Sequence, residues 1–212
     1  MHNNHPRGVT VRVRARGRTR AADYAFLAET VAEASTLPVS AVEVEVAQRC
    51  ATCGSSEHGR PFVAAPPNLT GVVRVSLSRA GELTVVAVSW AGPVGIDVEE
   101  IAAVRRAGFD DVAFTAAERS ELGALNAADA DHARAVFWTR KEAVLKLTGE
   151  GLRVDPLHVG TSLTGHSLLS WPGSLVDMAM VRLTPVDLGP GDLVATLAHL
   201  PNDAALPGAG GA

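Results

Sequence analysis

Two cysteines, Cys50 and Cys53, are all that the 212-residue chain contains. A disulfide-held scaffold is excluded by that count and by size, and a cytoplasmic protein is the expectation. Positive charge is not in surplus either. Nineteen Lys and Arg face 23 Asp and Glu, for a formal net charge of −4. No global basic field is available to draw nucleic acid non-specifically. No apolar run approaches the roughly 18 residues of a spanning helix, so no membrane partner is expected. The opening "MHNNHPRG" is polar and has no apolar stretch behind its charge, so it is not expected to act as a secretory signal. A Walker-type glycine loop and a Rossmann fingerprint are both missing, which leaves the common nucleotide-binding readings without support. What remains is an ordinary soluble composition, 47% hydrophobic and 20% charged. It suffices for one or two compact domains, each with its own core.

Periodicity divides the chain. "VTVRVRARGRTR" begins as a strand by alternation. "AADYAFLAETVAEAST" has helical spacing, with Leu27, Val31 and Ala34 on one side. "AVEVEVA" (41–47) alternates again and reads as a strand. "QRCATCGSSEHGRPFVAAPPNLTG" is rich in turn residues and reads as a loop. "VVRVSLS" and "LTVVAVSW" flank "RAGE" as a hairpin, and "GPVGIDVEE" adds a strand. From about Ala102 to Gly149 the pattern is helical, and Thr115 with Glu118 matches a capping box. Beyond "GEGL", the runs "SLLSW", "DMAMVRL" and "GDLVATLAHL" read as strands, and "PNDAALPGAGGA" as a flexible tail. Two halves result, 1–92 and 93–204, followed by a tail over 205–212. They share little sequence identity, so any repeat would be structural only.

The chemistry-bearing residues lie in the second half. On a strand, "GIDVEE" puts Asp97 and Glu99 on one face and Ile96 and Val98 on the other. Alone, such a pair reads most simply as solvated charge. On a helix, "FWTRKEAVLKLTGEGL" puts Trp138, Glu142 and Lys146 on one side, and Glu142 with Lys146 alone reads as a helical ion pair. Together the residues suit another role. Three carboxylates and a nearby lysine are what Mg²⁺ shared with a phosphate requires, because Mg²⁺ takes oxygen ligands and lysine supplies a point charge.

These two stretches, in this order and about forty residues apart, resemble the 4′-phosphopantetheinyl transferases, and within them the larger Sfp-type class. The second motif agrees at Trp138, Lys141, Glu142, Ala143, Lys146, Gly149, Gly151 and Leu152. "CATCGSSEHGRP" and "VSLSRAG" are similar to upstream segments of the same family, so the resemblance covers about residues 50–155. It implies an α+β fold of two similar α/β halves in one chain, a pseudo-dimer, each half a small, mostly antiparallel sheet packed with helices. Coenzyme A would sit in the cleft between the halves. The implied reaction moves its phosphopantetheine arm to a serine of an acyl or peptidyl carrier protein of fatty acid, polyketide or nonribosomal peptide synthesis. The protein would act as a monomer with Mg²⁺, or Mn²⁺ in its place. Asp97, Glu99 and Glu142 would hold the metal against the diphosphate. Glu118 would be the base for the carrier serine, and Lys146 would stabilise the leaving phosphate. Arg60 would meet the adenine or phosphate end of the coenzyme, joined by Ser78 and Arg79. A degenerate module that binds carrier or coenzyme without catalysis is the alternative.

The chain departs from the pattern in places. Arg79 stands where the family has histidine. It can grip phosphate with two donors, but it cannot transfer a proton. The first helix lacks internal arginines, which leaves Arg12, Arg14, Arg16, Arg18 and Arg20 to meet the 3′-phosphate or merely to guard a strand edge. Cys50, Cys53 and His58 offer three ligands where a structural zinc normally takes four, so neither zinc nor redox chemistry is expected there. Lys141 reads as a surface charge, and "GEGL" as a helix C-cap. For carrier docking, the expectation falls on Val104, Phe109 and Phe114 with Arg105 and Arg106.

Overall fold

Strand β5 (Leu83–Ser89) is buried along nearly its whole length, and the reason is visible on its two faces. Val86 and Val88 pack with Phe26, Leu27 and Val31 of helix α1 (Arg20–Ala34). Val85 and Ala87 pack with Val94, Ile96 and Val98 of β6 (Val94–Glu100). A strand covered on both sides has no reason to alternate, and "LTVVAVS" does not. The structure is a computed structural model that describes residues 6–50, 52–174 and 176–201. The expected tail beyond Pro201 and the first five residues lie outside that range.

Three antiparallel sheets form. The first has the order β1-β5-β4, with β1 (Val9–Ala15) and β4 (Arg74–Ala80) flanking β5. The second pairs β2 (Glu45–Arg49) with β3 (Arg60–Ala65). The third has the order β6-β8-β7, with β7 (Arg182–Pro185) and β8 (Leu193–His199). Among the described residues, four α-helices lie between β6 and β7: α2 (Ile101–Ala107), α3 (Asp110–Ala113), α4 (Ala116–Gly123) and α5 (Ala127–Thr148). Asn126 caps the start of α5, and Gly149 ends it in a left-handed conformation. Helix α5 packs its Ala143 and Leu147 with Val181, Leu183 and Ala198. The helix lies so close to β6 that a Cβ on Gly95 would overlap the Ala143 carbonyl oxygen.

The first and third sheets meet where β4 runs beside β6. There the Ser76 hydroxyl oxygen accepts the Ile96 N–H at 3.0 Å. Each of these sheets carries one long helix, α1 or α5, so a mixed α/β architecture of small antiparallel sheets and helices is present as expected.

Local differences from the sequence reading have local causes. No strand starts at Ala41, because the Glu43 carboxylate accepts from the Ser40 N–H and hydroxyl at 2.8 and 2.6 Å and turns the chain. "SLLSW" forms only an isolated bridge, Gly160 with Ser170, while Leu168 and Trp171 go into the core. "DMAMVRL" opens as a 3-10 turn capped by Asp177 and becomes a strand only at Arg182. The arginines of β1 guard an edge: Arg12 pairs with Glu33 at 2.6 Å and Arg14 with Glu29 at 3.2 Å, both against α1.

Candidate functional site

The seam between β4, β6 and α5 gathers Asp97, Glu99, Glu142 and Lys146. Asp97 is 2% exposed. Lys146, on α5, donates to its Oδ1 at 2.6 Å, and the Ser78 hydroxyl of β4 donates to the same oxygen at 2.8 Å. Lys146 also donates to the Ser78 oxygen at 2.9 Å. Thus a strand of the first sheet, a strand of the third and the long helix close one three-way bond. The helical ion pair that Glu142 and Lys146 suggest in isolation is not what forms, because Lys146 reaches across to the strand instead.

The second oxygen of Asp97, Oδ2, is buried with no hydrogen-bond partner among the described residues. A buried carboxylate oxygen left so costs on the order of 1–3 kcal/mol. Burial raises the Asp97 pKa, and the Lys146 ammonium opposes the rise. Glu99, half-buried next along the strand face, is raised to about 7 by burial and by repulsion from Asp97 and Glu142, while Lys146 and the Trp138 indole oppose it. Glu142 is raised by burial and by Asp97. The three carboxylates therefore feel one another, as a shared site requires. They are more open than a closed ligand set. Among the described residues, the set whose ligand atoms all lie within 4.8 Å of one another is Cys50, Cys53 and His58. Three like charges repel, and Lys146 bonds Asp97 alone of the three.

Glu142 and Lys146 also line a cavity of about 1030 Å³. Its other wall is the β2–β3 hairpin with Arg60, and Arg49, Arg74 and Arg153 border it. Burial lowers the Arg60 pKa, and the facing Arg74 guanidinium adds to the effect. Two cations facing each other, Arg60 partly buried and Arg74 exposed, make this wall attractive to anions. Arg60 was legible from its motif. Arg49, Arg74 and Arg153 were not, because only the fold brings them to the same hollow.

Two expected residues go elsewhere. Arg79 follows Ser78 on β4 and so points to the opposite face, where it pairs with the buried Asp23 of α1 at 3.3 Å. Glu118 is fully buried. Its Oε2 accepts from the Thr115 N–H at 2.8 Å and from Lys141 at 2.8 Å. Its Oε1 accepts from the Thr161 N–H at 2.9 Å and hydroxyl at 3.0 Å. None of these partners belongs to the Asp97 cluster.

Lys141, expected at the surface, is fully buried. It completes its shell on the carbonyls of Pro156 and Val159 at 2.8 and 2.7 Å. It lies one residue before Glu142, so the helix turns it away from the cavity. The expected docking strip is also largely internal. Val104 and Phe114 are core, and Phe109 stacks on Trp138 with ring centroids 4.7 Å apart. Arg105 and Arg106 remain exposed.

Among the described residues, no helix is long and apolar enough to cross a membrane. No curated protein matches the chain. Residues 93–171 match the family model of the 4′-phosphopantetheinyl transferase superfamily (ACPS). The matched segment holds Asp97, Glu99, Glu142 and Lys146 but not the β2–β3 hairpin, and it supports the general family and a phosphopantetheinyl transferase function.

Proposed function

We propose that the protein is a transferase of the Sfp-type class, its two α/β halves arranged as a pseudo-dimer about the junction near Gly92–Pro93. It would move the phosphopantetheine arm of coenzyme A onto a serine of an acyl or peptidyl carrier protein. The observation that carries this reading is the unpartnered, buried Oδ2 of Asp97 beside Glu99 and Glu142. An oxygen-rich anionic pocket with one oxygen left over fits a hard divalent cation. Asp97, Glu99 and Glu142 would hold Mg²⁺, or Mn²⁺. When bound, the ion would neutralise charge on the transferring phosphoryl and its leaving group.

The chain's own residues supply the rest. Arg60 and Arg74 line the cavity and favour the phosphate-rich end of coenzyme A. Lys146, held by Asp97 and Ser78, lies where a diphosphate beside those carboxylates would meet a cation. Glu118 enters as a positioning residue, since both its oxygens are engaged and its ion pair with Lys141 anchors α5 to the segment from Pro156 to Thr161.

The test is incubation of an apo carrier protein with coenzyme A and Mg²⁺, read by mass spectrometry. A gain equal to the phosphopantetheine arm is expected. Glu142→Ala should abolish the gain while the circular dichroism spectrum stays unchanged. Full activity in that variant would refute the metal assignment.

A further inference from the structure

The hairpin that walls the cavity carries its own ligand set. Cys50, Cys53 and His58 sit on the loop joining β2 to β3, and one sulfur, the other sulfur and a ring nitrogen all lie within 4.8 Å of one another. The Cys53 Sγ is 3.4 Å from the His58 Nε2. With Zn–S near 2.3 Å and Zn–N near 2.0–2.1 Å, a tetrahedral ion sets its sulfur and nitrogen ligands about 3.6 Å apart. The side chains therefore stand close to the separation that one ion would impose.

The backbone is shaped around them. The Gly54 N–H donates to the Cys50 carbonyl, and the Cys50 N–H to the Ser55 carbonyl, each at 2.9 Å. Hydrogen bonding from the Cys53 and Thr52 backbone lowers the Cys50 pKa. Such bonds orient and stabilise a thiolate ligand. At the other end of the loop, Gly59 has φ +115, and a Cβ there would overlap the Arg49 carbonyl group. The loop is thus drawn tight at both ends. No residue from Thr52 to Gly59 belongs to a hydrophobic core. Apolar packing does not account for three soft ligands meeting in so polar a loop.

We propose that Cys50, Cys53 and His58 bind one zinc ion, with water in the fourth position, and that this ion fixes the loop forming one wall of the cavity. Two thiolates and an imidazole select zinc over the hard cations that suit carboxylates, so the site is distinct from the acidic one. Both cysteines would bind as thiolates, so binding would release whatever thiol protons they still carry. Because Cys50, Thr52 and His58 border the same cavity as Arg60, the ion would hold that wall in place without touching the transferring group.

The test uses the full chain, expressed reduced and desalted without chelator. Elemental analysis should find one zinc per chain in the wild type and in Glu142→Ala. Cys53→Ser and His58→Asn should lose it while keeping the wild-type circular dichroism spectrum. Titration of the metal-free chain with Co²⁺ should give thiolate-to-cobalt charge transfer and the intense visible bands of a tetrahedral ion. Zinc retained by Cys53→Ser, no zinc in the folded wild type, or a cobalt spectrum without thiolate bands would each overturn the proposal. So would a Cys50–Cys53 disulfide in the freshly reduced protein that zinc does not displace.

Discussion

The buried pair of Glu118 and Lys141 separates two roles for the glutamate. Both side chains are fully buried, with Nζ and Oε2 2.8 Å apart. Removing one partner of such a pair leaves an uncompensated charge in the interior, which costs roughly 3–5 kcal/mol. Glu118→Gln keeps the shape, but it turns an amide nitrogen toward either the Thr115 N–H and Lys141 or the Thr161 N–H and hydroxyl, donor against donor. Lys141→Met leaves the carbonyls of Pro156 and Val159 without their donor. Each single variant should therefore lose about 3–5 kcal/mol. For a chain of this length that is a fall in Tm of about 6–20 °C, at about 2–4 °C per kcal/mol. The double variant Glu118→Gln/Lys141→Met should recover part of the loss, a favourable coupling of about 1–3 kcal/mol in the double-mutant cycle. Denaturant melts and turnover would be measured on the same samples. If Glu118→Gln keeps wild-type stability and loses only kcat, with the acid-side limb of its pH profile gone, the glutamate is the base for the carrier serine and the positioning argument is refuted.

Two further expectations follow from close packing and from a buried imidazole. Gly95→Ala would drive a methyl group into the Ala143 carbonyl and near the Leu147 N–H, so β6 and α5 must part; a loss of about 3 kcal/mol or more in chemical denaturation is expected, and a loss under about 1 kcal/mol would refute that contact. Burial holds the His199 pKa below 6.5, opposed by a backbone hydrogen bond to Ala91, and its Nε2 has no partner among the described residues. The unfolded chain then takes the proton first, so stability is complete above about pH 6.5 and declines as the pH falls below it. Glu99, raised to about 7, pulls the other way in the same window because the folded state holds its proton. The readout is therefore the difference between wild type and His199→Phe. That difference should shrink as the pH falls from about 7 to about 5, and one that stays constant would count against the burial of a neutral ring.

How much was legible in the sequence depended on whether a residue's partners were local. The capping box of Thr115 and Glu118, the hairpin around Gly81 and the C-cap at Gly149 are local patterns, and each formed as read. The stripe of Trp138, Glu142 and Lys146 also formed, because a helix repeats every 3.6 residues whatever it packs against. Lys141 could not be read in that way. One position from Glu142, it looked like one more charge on the helix. Only the segment from Pro156 to Thr161, which returns beneath α4 and α5, supplies its two carbonyls and so buries it. Arg79 failed for the opposite reason. Its motif neighbour Ser78 faces the seam, and strand alternation sends Arg79 to α1, whose Asp23 no local pattern would nominate as a partner.

The same distinction explains why the acidic site lies where it does. Asp97 is a poor place for a charge by burial alone. It is tolerated because Lys146 comes from α5 and Ser78 from β4, one on the long helix and one in the first sheet. Removing Ser78 would strip one bond from Asp97 and one from Lys146 at once, although it lies on β4, in a different sheet from Asp97. The β4–β6 seam therefore does two things with one set of contacts. It joins the two sheets, through Ser76 to the Ile96 N–H and through Ser78 to Asp97. It also leaves Oδ2 of that carboxylate without a hydrogen-bond partner among the described residues, in the company of Glu99 and Glu142. A fold built only for stability would have filled that position with a donor or an apolar side chain, since an unpaired buried oxygen is a cost. Under the proposed function, that cost would be offset when Asp97, Glu99 and Glu142 hold a divalent cation.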